Sequence, residues 1–235
     1  MSSARVLPLL LVALLAAGCG SPGETTTAVP ETTTATTTHV PVSPAPTTLT
    51  VFRVQDGKLR AEAVRVPHTT AVASSTLGAL GLAAPVTIAS GTAHVALEHA
   101  SADEIAEIVY SLTRFPSIKR VDVAGRNGLT RDDFAAYLAP ILIEEPGAGA
   151  EVPLAIKVTG SASVFEATFV LEVVRDGNVL DRQTVTASEG APARGTFEAT
   201  LHSPSPGAAT ISAFAPSAEN GAPQHQVAVP VTVTP

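Results

Sequence analysis

The chain has 235 residues, a formal net charge of −7, one cysteine, no tryptophan and 4% aromatic residues. A single cysteine rules out an intrachain disulfide framework and cysteine-rich zinc or iron–sulfur sites. The acidic balance argues against a nucleic-acid partner, because phosphate contacts need clustered lysine and arginine side chains. Beyond the start of the chain no apolar run approaches the roughly 20 residues of a membrane-spanning helix. Only the start of the chain is therefore expected to contact a membrane.

The first 18 residues have the composition of an export signal. Arg5 precedes an apolar stretch from Val6 to Ala17, and the segment Leu15-Ala16-Ala17-Gly18-Cys19 resembles a bacterial lipobox. We predict that residues 1–18 are a lipoprotein signal peptide and that Cys19 carries the lipid. The mature protein would then be anchored, without spanning, at the extracytoplasmic face of the cell membrane. The alternative is an ordinary secretory signal with an incidental cysteine.

A segment rich in Thr, Pro, Ala and Ser follows the proposed lipid site. Residues 20–48 contain no aromatic side chain and almost no large apolar one. Such a segment cannot bury enough surface to offset the entropy lost on ordering it. We therefore predict that residues 19–48 form the lipid anchor and a disordered Thr/Pro-rich stalk.

The next segment, residues 49–125, is predicted to be a folded domain that begins with a hairpin. Two β-like runs, Thr50–Gln55 and Lys58–Val66, are joined at Asp56-Gly57, which is a strong hairpin signal. The apolar residues of the second run change face part-way along it, which predicts a bulge near Ala63.

The clearest helix signal in this domain covers residues 101–115. Ser101 is a good N-cap and Glu104 completes a capping box. The buried stripe is expected to consist of Ile105, Ile108, Val109 and Leu112. A strand is predicted over Ile118–Val123. The element order β-β-α-β-β-α-β indicates a small α+β sandwich with helices on one sheet face.

Two segments of this domain carry a family resemblance. The sequence from Glu104 to Val123 resembles the closing helix and strand of the GerM-type sporulation and spore germination (GerMN) domain. The preceding TAHVALE, Thr92–Glu98, is similar to the strand that this family places before that helix. The resemblance implies a GerMN-like domain over residues 49–125.

Residues 126–139 are predicted to be a linker with a short helix capped by Thr130. The final segment, residues 140–235, shows no helical period after Pro146. About seven short alternating runs separated by Gly, Pro and Asn turns indicate a β-sandwich. Pro230 inside the last run predicts an edge or a bulge there.

This last segment also closely resembles a known family, the immunoglobulin-like domain of bacterial spore germination. The matching residues are Ile143-Glu144-Glu145-Pro146, Val158–Ala162, Val164-Phe165-Glu166-Ala167, Arg194–Phe197 and Ser217–Gly221. The resemblance implies an Ig-like sandwich found on exported envelope proteins, and the family has no established catalytic residues to carry over. The fold class predicted for the whole chain is α+β, a GerMN-like α/β sandwich followed by an all-β Ig-like sandwich.

No motif for catalysis, a cofactor or a metal stands out. His94 and His99 would face opposite sides of a strand, so a shared metal is not expected. A phosphate loop with lysine, G-x-S-x-G and H-E-x-x-H are all absent. The motif residues of unknown role are Phe165 and Glu166. Glu166 is interpreted as a strand-start or loop residue bonded to local backbone. If the Phe165 ring lies in the sandwich core, Phe165→Ala should cost about 3–5 kcal/mol, more than Glu166→Gln.

Three functions remain open from the sequence. The first is a non-enzymatic envelope lipoprotein whose two modules bind a protein partner. The second is a binding module for wall polymer or sugar, which a low aromatic content disfavours. The third is an enzyme with an unrecognised site.

Overall fold

The computed structural model describes residues 44–235, so the predicted signal peptide, Cys19 and most of the stalk lie outside the described residues. The strands and helices in chain order are β1 (Thr47–Gln55), β2 (Lys58–Val66), α1 (Val72–Ala79), β3 (Val86–Ala89), β4 (Thr92–Val95), α2 (Ala102–Leu112), β5 (Arg120–Val123), β6 (Arg126–Leu129), β7 (Ile141–Glu145), β8 (Ala150–Val152), β9 (Ala155–Ala162), β10 (Thr168–Arg175), β11 (Asn178–Thr186), β12 (Gly195–His202), β13 (Gly207–Pro216) and β14 (Pro223–Val233). Among these residues, neither helix has the length and apolar character needed to cross a membrane.

Strands β1 and β2 form the predicted hairpin. The pairing runs without interruption from Thr47 opposite Val66 to the closing pair at the two-residue turn. Asp56 and Gly57 both have positive φ, 52° and 69°, which a tight hairpin turn requires. The bulge predicted near Ala63 is wrong, because this register has no shift. Beyond that residue Val64 and Val66 are only half-buried and Arg65 is exposed, so the apolar side chains change face without an inserted residue.

Helix α2 begins and packs as its sequence predicts. The Glu104 amide donates to Ser101 Oγ at 3.2 Å, and the Ser101 amide donates to Glu104 Oε2 at 2.7 Å. All four residues of the expected stripe are buried. The helix ends at Leu112, before the proline at position 116, with Thr113 as its C-cap.

The strands of the first domain are divided between two sheets, which the sequence did not indicate. The hairpin forms a two-stranded sheet, and a four-stranded sheet has the order β3-β4-β5-β6. In the described part of the chain no ladder joins the two sheets. They meet through a shared core with both helices, in which Phe52, Leu77, Ile108 and Leu112 are fully buried.

Residues 126–139, predicted to be a linker, complete the first domain instead. Strand β6 pairs antiparallel with β5 at its edge of the sheet. Leu129 and Phe134 are buried in the first core. The segment Arg131–Tyr137 forms 3₁₀ turns rather than an α-helix, with a kink at Phe134.

The second domain is the predicted β-sandwich. One sheet has the order β11-β10-β13-β14-β8 and the other has the order β12-β9-β7. Phe169 and Phe197 meet edge to face across the core, with ring centroids 4.8 Å apart. In the β13–β14 ladder the register shift lies between Ala213 and Ala215 of β13 rather than at Pro230. Pro230 pairs with β13 on one side, and on its other side β8 pairs only from Val231 onward.

Strand β7 contributes to both cores. Ile141 and Ile143 are buried in the sandwich core, whereas Leu142 is buried in the core of the first domain. Successive side chains of a strand point to opposite faces, so one strand can supply two cores on its two sides. The two domains therefore share an apolar junction as well as the polar contacts described below.

Candidate functional site

The motif residues Phe165 and Glu166 lie in the turn between β9 and β10. Phe165 is 73% exposed, whereas Val164 and Ala167 on either side of the pair are buried. The ring is therefore not in the sandwich core. The loss of about 3–5 kcal/mol predicted for Phe165→Ala required a core position, so that loss is not expected. We call residues 164–167 the Phe165 loop.

The backbone of the Phe165 loop determines which side chains face solvent. Glu166 and Ala167 both have positive φ, 53° and 57°, a region that residues with a Cβ rarely adopt. Two consecutive residues of this kind turn the chain sharply. As a result the apolar ring points away from the sandwich, while the smaller neighbours fill the space beneath it.

The loop is fixed by the neighbouring segment that precedes β12. The Ala187 amide donates to the Ala167 carbonyl at 2.8 Å, and the Ala191 amide donates to the Val164 carbonyl at 2.9 Å. A Cβ on Gly190 would lie 2.8 Å from the Ala167 nitrogen, so this close approach needs glycine. These contacts keep Phe165 exposed on a well-defined support.

The Glu166 side chain forms no hydrogen bond or ion pair within residues 44–235; only its backbone carbonyl accepts a bond, from Thr168 Oγ1 at 3.0 Å. The expected hydrogen bond, in which the carboxylate accepts from a local backbone N–H, is therefore not present among the described residues. The loop instead presents an exposed aromatic ring beside a solvated carboxylate. Such a pair can contact a partner surface that offers an apolar pocket next to a basic side chain.

A second concentration of functional groups lies where the two domains meet. Arg131 Nη1 contacts both carboxylate oxygens of Glu144 on β7, at 3.1 and 2.9 Å. Its guanidinium also lies 4.8 Å from the centre of the Tyr110 ring, within cation–π range. Burial raises the pKa of the Tyr110 hydroxyl to about 12, so the ring stays neutral beneath the cation.

Two further arginines connect the domains. Arg114 pairs with Glu145, and it also donates to the Glu144 carbonyl at 3.2 Å. Arg194 donates to Ser161 Oγ at 3.1 Å and to the Ala139 carbonyl at 2.5 Å, and burial lowers the pKa of its guanidinium. The junction is thus held by directional contacts on several sides, which fixes the domains as one platform.

The histidines singled out in the sequence do not assemble a metal site in the described residues. His94 Nδ1 lies 2.9 Å from Asp122 Oδ2, and Asp122 Oδ1 accepts the Gly128 amide at 2.7 Å. Within residues 44–235 no hydroxyl or thiol is hydrogen-bonded to His94, and no cluster of three metal-ligating side chains occurs. The pair follows from the parallel register of β4 and β5, which places His94 opposite Asp122.

The sequence indicated the Phe165 loop but not the arginine junction, by which we mean Arg114, Arg131 and Arg194 with their partners where the two domains meet. Arg131 and Glu144 are 13 residues apart and belong to different domains, so no local spacing marks them. The alternation of β7 was the one available signal, because it leaves Leu142 on the face opposite the sandwich core.

The comparison with known families agrees with the family resemblance predicted for the second domain. Residues 140–222 match the family model of the immunoglobulin-like domain of bacterial spore germination. This confirms the resemblance predicted for that segment, and the structure adds β14 beyond the matched residues as part of the same sandwich. No curated protein matches the chain.

Several solved structures are distantly similar. An engineered protein is 17% identical over 55% of this chain and 36% of its own, with a TM-score of 0.29. CopC from Methylosinus trichosporium OB3b is 16% identical over 40% of this chain and 94% of its own, with a TM-score of 0.28. The tandem GerMN domains of the sporulation protein GerM from Bacillus subtilis are 14% identical over 80% of this chain and 61% of that chain, with a TM-score of 0.33.

The third of these structures contains the domain type that residues 49–125 resemble. This chain spans only 36% and 61% of the first and third proteins.

Proposed function

We propose that this protein is a non-enzymatic, lipid-anchored envelope protein that binds a protein partner through the Phe165 loop of its spore-germination-type Ig-like domain. The observation that carries the proposal is the 73% exposure of Phe165 on a loop whose backbone is fixed by its neighbours. Aromatic side chains are enriched in the centres of protein interfaces, and a ring presented in advance loses little conformational freedom on binding.

Three features support the choice of a protein partner over a reaction. Residues 164–167 contain no hydroxyl, thiol or imidazole side chain, and the neighbouring Thr168 hydroxyl donates to the Glu166 backbone carbonyl rather than to its carboxylate. Residues 140–222 match a family of immunoglobulin-like domains that is named for bacterial spore germination and not for a catalysed reaction. The arginine junction makes the two domains a fixed support, as recognition loops require.

The anchor is the second part of the proposal. A lipid on Cys19, followed by the Thr/Pro-rich stalk, would hold this platform at the extracytoplasmic face of the cell membrane. The partner would then be another envelope protein, with an apolar pocket for Phe165 and a basic group for Glu166.

Site-specific crosslinking tests the proposal on the full-length protein in the cells that make it. A photoreactive phenylalanine analogue at position 165 is compared with the same analogue at Val179, which is also exposed, at 46%, and lies on β11. We expect one crosslinked protein at position 165 and none at position 179. Phe165→Ala should lose co-purification of that protein from detergent-solubilised membranes, and Val179→Ala should retain it.

The same experiment separates the alternative of wall-polymer binding. A single exposed ring could also stack on a sugar, so wild type and Phe165→Ala are both applied to purified cell wall. Retention on the wall that depends on Phe165, without any protein crosslink, would replace the partner proposal with the wall-binding one.

A further inference from the structure

Strand β3, Val86–Ala89, is the outer strand of the four-stranded sheet of the first domain. It pairs with β4 on one side, and no strand of the described residues pairs with its other edge. An edge of this kind carries a row of backbone donors and acceptors that can pair with another strand. Many edge strands are protected by a charged side chain, a proline or a bulge within the strand, and β3 contains none of these.

The ladder with β4 determines which residues of β3 have free backbone groups. The Ala96 amide donates to the Pro85 carbonyl at 2.9 Å, so these two residues form a pair of the hydrogen-bonded type. Such pairs alternate along an antiparallel ladder, and every second residue of β3 therefore directs its amide and carbonyl away from β4. These outward residues are Val86 and Ile88, and neither has a further backbone partner among residues 44–235.

This edge is accessible to solvent. Val86 is partly buried, and the other residues of β3 are all exposed. Ile88, at 48%, is the only exposed large apolar side chain among the described residues of the first domain. Its cross-strand partner Ala93 is fully buried, so the Ile88 side chain lies at the outer margin of the first core. An exposed apolar side chain beside free backbone groups favours an occupant that covers both.

The edge of β3 is complementary to itself under a two-fold rotation. Two antiparallel copies of the strand can place Thr87 opposite the same residue of the second copy. Val86 of each copy then lies opposite Ile88 of the other, and their outward amides and carbonyls form a hydrogen-bonded pair on each side of the axis. The same register places the exposed Ile88 side chain against Val86 of the second copy, which packs on the first core. The apolar core would thus continue from one copy to the next.

The charges near the two ends of β3 also fit an antiparallel pair of copies. At the end with the turn into β4, the Lys119 amide donates to the Gly91 carbonyl at 2.7 Å, and Arg120 is the next residue. At the other end, Pro85 and Glu98 line one cavity. None of the three charged side chains forms an ion pair with a described residue. An antiparallel second copy brings the basic end of one edge to the acidic end of the other, which favours a second copy as the occupant.

We propose that the protein forms a two-fold dimer in which the β3 edges of two copies pair antiparallel, with Thr87 on the symmetry axis. The two four-stranded sheets then become one continuous sheet. The interface is short and smaller than that of a permanent complex, so the dimer forms reversibly. It lies on the first domain, whereas the Phe165 loop lies on the second, and the dimer does not depend on the function proposed for that loop.

Disulfide crosslinking of the full-length protein, in the cells that make it, tests this register. Thr87→Cys places a thiol on each side of the axis, on residues whose Cα atoms would be about 4.5 Å apart. Ala89→Cys is the matched control, because it is exposed on the same face of β3 but would lie roughly 14 Å from its copy. A disulfide needs Cα atoms within about 7 Å, so we expect the dimer band of Thr87→Cys on a non-reducing gel to be about fivefold stronger than that of Ala89→Cys. The wild type corrects for any disulfide formed by Cys19.

Variants at Ile88 test the backbone pairing itself. Ile88→Pro removes an amide that points outward, so it breaks no bond within the sheet of one copy, and combined with Thr87→Cys it should abolish the crosslink. Ile88→Val combined with Thr87→Cys should retain the crosslink. If circular dichroism shows that the proline variant does not fold, Ile88→Lys replaces it. That lysine is solvated in the monomer, but in the dimer its charge would lie against the apolar Val86 of the second copy.

The other results overturn the proposal. Equal crosslinking of Thr87→Cys and Ala89→Cys would indicate random collision of copies rather than a paired edge. The absence of a dimer band for Thr87→Cys would exclude a pairing centred on this residue. A crosslink from Thr87→Cys to a different protein would assign the edge to that partner. A crosslink that survives both Ile88→Pro and Ile88→Lys would exclude backbone pairing at β3.

Discussion

Two phenylalanines in one short stretch provide a direct test of how the Ig-like domain is built. Phe169 is fully buried on β10 and contacts Phe197 edge to face at 4.8 Å. Phe169→Ala removes a large buried ring and leaves a cavity, which typically costs about 3–5 kcal/mol. In a unit of this size, that corresponds to a fall in melting temperature of roughly 10 °C.

Phe165→Ala should have a much smaller effect. The residue is 73% exposed, so only about a quarter of a side-chain area of roughly 200 Å² is buried, or about 50 Å². At about 25 cal/mol per Å², the loss is about 1 kcal/mol. We therefore expect Phe169→Ala to lower the free energy of unfolding at least three times as much as Phe165→Ala.

Thermal and urea unfolding, followed by circular dichroism in one detergent buffer, measures both variants against wild type. Val179→Ala is the matched control, because it also removes an exposed apolar side chain from the same domain. If Phe165→Ala destabilises the protein as much as Phe169→Ala, the ring is packed in solution and the described exposure of the loop is incorrect.

Four further outcomes are expected. Gly160→Ala would place a Cβ 2.0 Å from a β7 carbonyl, and should cost about 3 kcal/mol or prevent folding, as urea unfolding will show. Arg131→Met leaves Glu144 unpaired at the domain junction and should lower the free energy of unfolding by about 2 kcal/mol. A double-mutant cycle with Glu144→Gln measures the coupling between the two residues, and a coupling energy of zero would contradict the contact. Burial raises the pKa of Glu107 above its usual 4.5, so the folded state binds this proton more tightly than the unfolded state does, and the contribution of the group to stability rises as pH falls toward 4.5. Glu107→Gln should therefore make the melting temperature at pH 5, relative to that at pH 7, lower than it is in the wild type, and an unchanged relation between the two temperatures would refute the assignment. Cys19→Ala should abolish membrane retention in fractionation, and equal retention of variant and wild type would refute the lipid anchor.

Short-range signals in the sequence were sufficient for the local elements. The hairpin follows from two β-like runs with Asp56-Gly57 between them, because few residue pairs tolerate positive φ at both positions. Helix α2 follows from its capping box and apolar spacing, which involve residues only three or four apart. The alternating runs after residue 150 likewise predict the strands of the sandwich, since each strand needs one buried face.

The division of the first domain into two sheets and the sharing of β7 depend on tertiary contacts. Any strand edge can pair with many partners, so periodicity alone does not say which strands become neighbours. The outer edge of β2 meets Ala148 of the second domain, a residue 86 positions after Glu62, its bridge partner. Residues 126–139 resemble a linker in composition, but Leu129 and Phe134 complete the first core.

The Phe165 loop shows the same division between what the sequence and what the tertiary contacts determine. The sequence by itself singled out Phe165 and Glu166 as a motif, but an apolar residue between strands can face either the core or solvent. Two left-handed residues, supported by the segment around Gly190, direct the ring outward. Local conformation depends on neighbours along the chain, whereas the exposure and the ion pairing of a side chain depend on which distant segments pack against it.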